Sequence, residues 1–111
     1  MPVTETHIRL ADELLLLEAE LRNLQLWHRE EPSAEALASV EPFACDTLAF
    51  TEWLQFIFIP RFHQMILAGA PLPAKCDVTP MAEEYFKGSA VAVAGVLASL
   101  QRIDRLITAG G

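Results

Sequence analysis

Apolar side chains recur at helical spacing near both ends of the chain, with polar residues between them. The first set is Leu10, Leu14, Leu17, Leu21 and Leu24. The last set is Val93, Val96, Leu97, Leu100, Ile103 and Ile107. Residues at this spacing share one face of an α-helix. The pattern therefore predicts amphipathic helices from about Thr6 to Trp27 and from a capping Ser89 to Thr108.

A third segment, from about Phe50 to Ala68, has apolar side chains on every side of its predicted helix. These side chains, which project in widely different directions, are Trp53, Leu54, Ile57, Phe58 and Ile59. A helix that is apolar all round is normally enclosed by other helices, so we predict that this one is the central helix of the fold. Pro60 removes one of its backbone hydrogen bonds and is expected to bend it. Gly69 followed by Pro71 is a standard stop signal.

Prolines and capping residues mark the connections between the helices. Pro32 disfavours a helical conformation in the residue before it and is expected to end the first helix. Ser33 offers a cap for a short turn over Ala34–Ala38. Asp46 or Thr47 offers a cap for the central helix, because its side-chain oxygen can accept from an exposed backbone amide.

A short helix is also predicted at Met81–Lys87. Thr79 as N-cap and Pro80 in the first turn begin it, and Gly88 ends it. No segment alternates apolar and polar residues as a β-strand does, and no internal repeat occurs. These patterns predict one all-α domain over residues 1–111, a compact four-helix bundle-like array with a buried, proline-containing central helix.

Charge is unevenly distributed along the chain, which has a formal net charge of −7. Residues 1–55 hold eleven acids and three bases, whereas residues 56–111 hold four acids and five bases. Phosphate binding needs clustered Lys and Arg, so direct nucleic-acid or anionic-membrane binding is disfavoured. The acidic half favours a basic protein partner, although the charge could also serve solubility alone. An apolar fraction of 52% leaves a homodimer open as well.

No pattern in the sequence is typical of a metal, cofactor or catalytic site. Cys45 and Cys76 are isolated and are expected to be small buried side chains in a reducing compartment. His7, His28 and His63 do not stand at ligand spacings. The chain shows no secretory signal and no apolar run of the ~18–20 residues that a membrane span needs. We therefore expect it in the cytoplasm.

The candidates for a functional site are the polar residues on the apolar central helix: Glu52, Gln55, Arg61 and His63. Each should find a partner on another segment, since an unpaired buried charge is costly. Arg61 could pair with Asp46 or with an acid of the first helix. The same groups could instead line a pocket, but a structural polar network is the simpler interpretation.

Three aromatic residues are further candidates for a binding region: Trp27, Phe43 and Trp53. Aromatic side chains anchor binding surfaces, but they fill protein cores more often. Trp27 is the one that we expect to be exposed.

Several of these residues occur in a distinctive order: W-H-R-E-E-P at 27–32, P-F at 42–43, D-T at 46–47, E-W-L-Q-x-x-x-I-P-R-x-H at 52–63 and P-L-P at 71–73. This order, which spans nearly the whole chain, resembles the YqcC-like family of small bacterial proteins. The resemblance implies a compact four-helix protein and carries over no catalytic residue. Genes of the family often neighbour that of a tRNA pseudouridine synthase, which implies a link to tRNA modification.

Together these features predict a non-catalytic protein-interaction module, an accessory to an RNA-modifying enzyme such as a tRNA pseudouridine synthase, with no cofactor and no metal. The candidate binding residues are Trp27, Phe43, Asp46, Glu52, Trp53, Gln55, Arg61 and His63. The alternative is a small-ligand-binding or enzymatic pocket lined by Asp46, Glu52, Arg61 and His63. Direct RNA binding ranks third and would weaken with modest salt.

Overall fold

A computed structural model of the protein describes residues 4–89 and 92–110, and every regular element within them is helical. The longest helices are α1 (Glu5–Asn23) and α6 (Ala94–Gly110). The central helix is continuous through α3 (Phe50–Trp53), a π-helical turn (Leu54–Phe58) and α4 (Ile59–Ala68). The shorter elements are α2 (Ala34–Leu37), a 3-10 turn (Pro42–Ala44) and α5 (Thr79–Tyr85). The predicted all-α fold is confirmed, with three long helices and the shorter α5 as the fourth predicted helix.

The most extensive helix–helix contact joins α1 to α6. Their apolar stripes face each other and are at most 1% exposed: Leu10, Leu14, Leu17 and Leu21 on α1, and Val96, Leu100, Ile103 and Ile107 on α6. Glu13 bonds to Arg102 at 3.0 Å, and Glu20 lies against Gly95, so the two helices run antiparallel. Because a fully buried aliphatic side chain contributes about 1.5–3 kcal/mol, this contact is a major source of stability.

The end of α1 differs from the prediction, since the helix stops at Asn23 rather than Trp27. Gln25 adopts a left-handed backbone conformation with φ 60°. The backbone N–H of Leu26 then donates to the carbonyl of Leu21 at 2.8 Å. This arrangement is a Schellman motif, which usually has glycine at the left-handed position. Pro32 therefore does not set the end of α1.

The central helix begins and ends close to its predicted limits, and Gly69 ends it with φ 61°. Its N-terminus is capped differently from the prediction, because neither Asp46 nor Thr47 serves as the cap. Instead, the Glu52 carboxylate accepts a hydrogen bond from the backbone N–H of Ala49 at 2.9 Å. The helix therefore supplies its own cap from its first turn.

Pro60 is accommodated by the π-helical turn that precedes it. The backbone N–H of Ile59 donates to the carbonyl of Leu54, five residues back. This widened turn adapts the helix to a residue that cannot donate. The side chains of Trp53, Leu54 and Phe58 are buried as predicted. The central helix is not enclosed on every side as its pattern predicted, because one strip of it is half-buried or exposed: Phe56, Ile57, Pro60, Arg61 and Gln64.

Two predicted caps in the second half of the chain are wrong. The hydroxyl of Thr79 does not cap α5, because it donates to Asp104 of α6 at 2.6 Å. Helix α6 begins at Ala94, so Ser89 lies five residues before it and is not its cap. The short turn capped by Ser33 is confirmed, since its hydroxyl accepts from the backbone N–H of Ala36 at 3.1 Å. None of the helices in the described ranges is long and apolar enough to cross a membrane.

Candidate functional site

An open groove with a volume of about 630 Å³ lies between segment 37–44 and the solvent-facing strip of the central helix. One wall consists of Leu37, Ser39, Val40, Glu41, Pro42, Phe43 and Ala44. The other wall consists of Trp53, Phe56, Ile57, Pro60, Arg61 and Gln64. Most of these side chains are apolar. The groove therefore presents apolar side chains among exposed polar groups, and binding sites combine these two kinds of group.

The first wall contains two consecutive non-glycine residues in a left-handed conformation, Phe43 with φ 58° and Ala44 with φ 50°. This conformation costs roughly 1–2 kcal/mol for each such residue. Contacts of the Phe43 ring offset the cost, because it lies edge-on to Trp53 with ring centroids 4.8 Å apart. Strained backbone and π-helical turns both concentrate at functional sites, and here they flank the same groove.

Phe43 and Trp53 serve two purposes at once. Trp53 is only 9% exposed and stacks against Phe50, with ring centroids 5.9 Å apart. Phe43 is half-buried against the same two rings. These predicted binding residues are therefore part of the aromatic core, and the groove is formed where that core reaches the surface.

Arg61 lies in the groove, is exposed, and does not form the predicted pair with Asp46. Asp46 instead accepts a hydrogen bond from the hydroxyl of Ser39 at 2.5 Å. Ion pairs within the described ranges involve other residues, at Arg9, Arg22 and Arg102. The Arg61 guanidinium is therefore available to an acceptor from outside the chain.

Gln55 is buried and has a structural role. Its Oε1 accepts a hydrogen bond from the backbone N–H of His28 at 2.7 Å, and its Nε2 donates to the carbonyl of His28 at 2.9 Å. The His28 ring lies 2.9 Å from the hydroxyl of Thr51. These bonds tie the segment that carries Trp27 to the central helix, as expected for a polar network.

The other candidates do not converge on the groove. Glu52 caps its own helix, and His63 is half-buried with no hydrogen bond in the described part of the chain. Trp27 is half-buried beneath the guanidinium of Arg22, which lies 4.6 Å from its ring centroid, so it is less exposed than we expected. It lines a separate cavity with Arg22, Gln25 and Arg29. Of the four residues of the alternative pocket, Arg61 alone lines the groove.

A polar cluster around Asp104 was not recognised from the sequence. Its carboxylate accepts hydrogen bonds from the backbone N–H groups of Val78 at 3.0 Å and Thr79 at 2.8 Å, besides the Thr79 hydroxyl. The thiol of Cys76 lies 3.1 Å away and donates to it as well. Burial and then the Asp104 carboxylate raise the pKa of the Cys76 thiol far above its usual 9.0. The signal for this cluster in the sequence was an acidic residue, Asp104, directly after Ile103 of the predicted apolar stripe.

Cys45 is exposed, which corrects the expectation that both cysteines are buried. Within residues 4–89 and 92–110, no three His, Cys, Asp or Glu side chains are grouped so that they could hold a metal ion. Val40, Pro42 and Pro60 were also not singled out as binding residues, although each lines the groove. In the sequence, each of the three is an apolar residue that belongs to neither of the predicted helical stripes.

Fold and groove together define a small all-helical domain with an open groove of mixed apolar and polar lining. The family model DUF446, described as tRNA pseudouridine synthase C, matches residues 9–106. The chain is 38% identical to the uncharacterized protein YqcC of Escherichia coli over 91% of its own length and 93% of that protein. The chain therefore belongs to this family, and the resemblance to YqcC-like proteins is confirmed.

A solved structure and two further relatives support the assignment. The solution NMR structure of E. coli YqcC has a TM-score of 0.86 and 35% identity, covering 97% of this chain and 92% of that one. An uncharacterized protein of Haemophilus influenzae is 42% identical over 64% of this chain and 67% of its own. A protein of Pectobacterium carotovorum named tRNA pseudouridine synthase C is 35% identical over 65% of this chain but 19% of its own length.

Proposed function

We propose that the chain is a non-catalytic interaction module that assists an RNA-modifying enzyme, in particular a tRNA pseudouridine synthase. The observation that carries the proposal is the match to a longer protein with that name, of which the matched region is 19%. A module joined covalently to an enzyme is held near it at high effective concentration. We infer that a separate chain of this kind acts on the same enzyme through a binding surface.

The geometry of the groove supports an interaction rather than a reaction. Its polar side chains are Ser39, Glu41, Arg61 and Gln64, and the one hydroxyl among them, that of Ser39, is paired with the Asp46 carboxylate and not with a histidine or lysine base. Catalysis of acyl or phosphoryl transfer would need a nucleophile paired with a base beside an oxyanion or phosphate site. The acidic half of the chain also suits a protein that handles RNA, because enzymes of this class present basic surfaces. Work on tRNA would place the protein in the cytoplasm.

A small-ligand site is the second candidate, because the groove falls within the range of about 300–1,000 Å³ of ligand pockets. Such pockets bury about 70–90% of the ligand surface, whereas this groove is open to solvent. A segment of a protein chain therefore suits the groove better than a small molecule.

A homodimer is supported by a different surface. Ile8, Leu15 and Leu16 are 56%, 62% and 50% exposed and lie on the outer face of α1. Two copies would each bring a net charge of −7, which opposes close approach. Light scattering of the isolated chain tests this arrangement, and a monomer at all concentrations would exclude it.

The proposed accessory role is tested by the activity of the synthase. Pseudouridine formation in its tRNA substrate is measured with the synthase alone, with this chain alone, and with both. We expect no product from the chain alone and a changed rate or KM for tRNA in the mixture. A pseudouridine synthase that modifies a different position serves as the control and should not respond. An unchanged rate and KM at saturating chain would contradict the role.

A further inference from the structure

Segment 28–52, which supplies the first wall of the groove, is strongly acidic. It contains one base, Arg29, and six acids: Glu30, Glu31, Glu35, Glu41, Asp46 and Glu52. All six except the half-buried Glu52 are exposed. Within the described ranges, the acids that form ion pairs are Glu5, Glu13 and Glu18, and none of the six is among them. The fold itself therefore leaves this negative charge unneutralised.

The apolar side chains of the groove are likewise covered only in part by the fold. Val40 is 95% exposed, and Phe56, Ile57 and Pro60 on the opposite wall are half-buried. Removing apolar surface from water contributes about 25 cal/mol per Å². Ring contacts of Phe43 with Phe50 and Trp53 hold this wall in place despite the left-handed backbone at Phe43 and Ala44. A partner that covers the apolar side chains of the groove would therefore gain free energy that folding alone does not gain.

We propose that the groove binds an apolar protein segment flanked by Lys and Arg residues. The apolar side chains of the segment lie against Val40, Phe56 and Ile57. Its basic side chains lie against Glu41 and Asp46. A carbonyl or carboxylate of the segment accepts from Arg61. This inference rests on the proposed function, because the synthase is taken to supply the segment.

Charge argues against the other occupants of the groove. RNA would bring its phosphates against Glu41 in the lining and against Asp46, which is bonded to Ser39 of the same wall. The lining offers one base, Arg61, whereas phosphate binding needs clustered bases. A second copy of this chain would bring the same acidic rim, and like charges facing each other cost several kcal/mol. A basic protein segment is the occupant whose charge complements Glu41 and Asp46 at the first wall of the groove.

The test uses the full chain and the synthase of the same organism, with affinity measured by calorimetric titration. Val40→Asp removes an apolar side chain from the first wall of the groove. Glu41→Lys reverses the charge of the one acid in the lining. The matched controls are Leu67→Asp on α4, where Leu67 is 85% exposed, and Glu84→Lys on α5, where Glu84 is also exposed. All four positions lie on the surface, where substitutions change stability by about 0.5 kcal/mol or less. Circular dichroism confirms that each variant is folded.

We expect both groove variants to bind about tenfold more weakly or worse, and both controls to stay within about twofold of the wild type. Wild-type affinity in the groove variants would overturn the inference and leave the proposed function standing. An equal loss in the controls would show a general charge effect and would also overturn it. No binding by the wild type would overturn both.

Two further measurements test the alternative occupants, a second copy of the chain and RNA. A dimer of the isolated chain that Val40→Asp dissociates would assign the groove to a second copy. Binding of tRNA by the isolated chain that Val40→Asp abolishes would assign the groove to RNA. Either result would overturn the inference.

Discussion

The carboxylate of Asp104 on α6 accepts two hydrogen bonds from Thr79 at the start of α5, from its backbone N–H at 2.8 Å and from its hydroxyl at 2.6 Å. Asp104 is 9% exposed, and it also accepts from Val78 and Cys76. A single side chain of α6 thus satisfies the backbone amides that open α5. This group fixes the start of the short helix against α6, in addition to the core contacts of Ala82 and Phe86.

Asp104→Ala is expected to lower the free energy of unfolding by about 2–5 kcal/mol, because it leaves buried N–H groups without acceptors. Asp77→Ala is the matched control, since Asp77 is an exposed acid beside the same segment. Its effect should stay within about 0.5 kcal/mol. Urea unfolding followed by circular dichroism measures both, and equal small effects would show that Asp104 does not hold α5.

Cys76 gives a prediction for alkaline pH. Burial and the neighbouring Asp104 raise the pKa of this thiol above 9.0, the value that an unfolded chain would show. The unfolded state therefore releases the proton first, and the stability that the protonated thiol contributes is full below pH 9 and is lost as pH rises above it. Cys76→Ser keeps a donor to Asp104 but does not titrate in this range.

The measurement is the free energy of unfolding between pH 8 and pH 10, by urea titration under reducing conditions. The wild type should lose more stability over this range than Cys76→Ser. Identical pH dependence in the two proteins would show that the thiol titrates alike in the folded and unfolded states. The same chemistry predicts that alkylating reagents modify the exposed Cys45 well before Cys76.

Adjacent leucines of α1 test the helical periodicity. Leu14 is 1% exposed against α6, and its neighbour Leu15 is 62% exposed. Leu14→Ala should lower the free energy of unfolding by about 2–5 kcal/mol. Leu15→Ala should change it by about 0.5 kcal/mol or less. Similar effects at the two positions would contradict the packing of α1 on α6.

Gln55→Ala tests the link between the central helix and the segment before it. The change removes both bonds to the backbone of His28 and leaves two polar groups without partners. We expect a loss of about 2–4 kcal/mol. Gln64→Ala on the same helix is the control, because Gln64 is exposed. Thermal unfolding with tryptophan fluorescence measures the change, and a loss no greater than that of the control would exclude the link.

Most of the helical architecture could be predicted from the sequence, because it follows from local spacing. The stripes of α1 and α6, the length of the central helix and its stop at Gly69 each follow from residues close to one another in the chain. The early end of α1 could not be predicted in this way, because Gln25 takes a left-handed conformation that is usually found at glycine. The start of α6 at Ala94 was missed because Ser89 only resembles a cap.

The polar partners could not be predicted, since they are set by contacts between distant segments. His7 shows this clearly. Its Nδ1 accepts from the backbone N–H of Thr4 at 3.1 Å, and its Nε2–H therefore donates to the carbonyl of Ala70 at 2.7 Å. Nothing in the spacing of the three histidines indicated that contact. Phe43, Trp53 and Arg61 were predicted binding residues, and they do line one groove. The shape of the groove could not be predicted, because it depends on the left-handed turn at Phe43.

Binding of the wild-type chain to the tRNA pseudouridine synthase is the most direct test of the interaction role. Calorimetric titration at low and high salt measures both the affinity and its electrostatic part. We expect micromolar or tighter binding at low salt that weakens as salt rises, because salt screens the attraction between an acidic half-chain and the basic partner that we propose. No binding at either salt concentration, with both proteins folded and the synthase active, would contradict it.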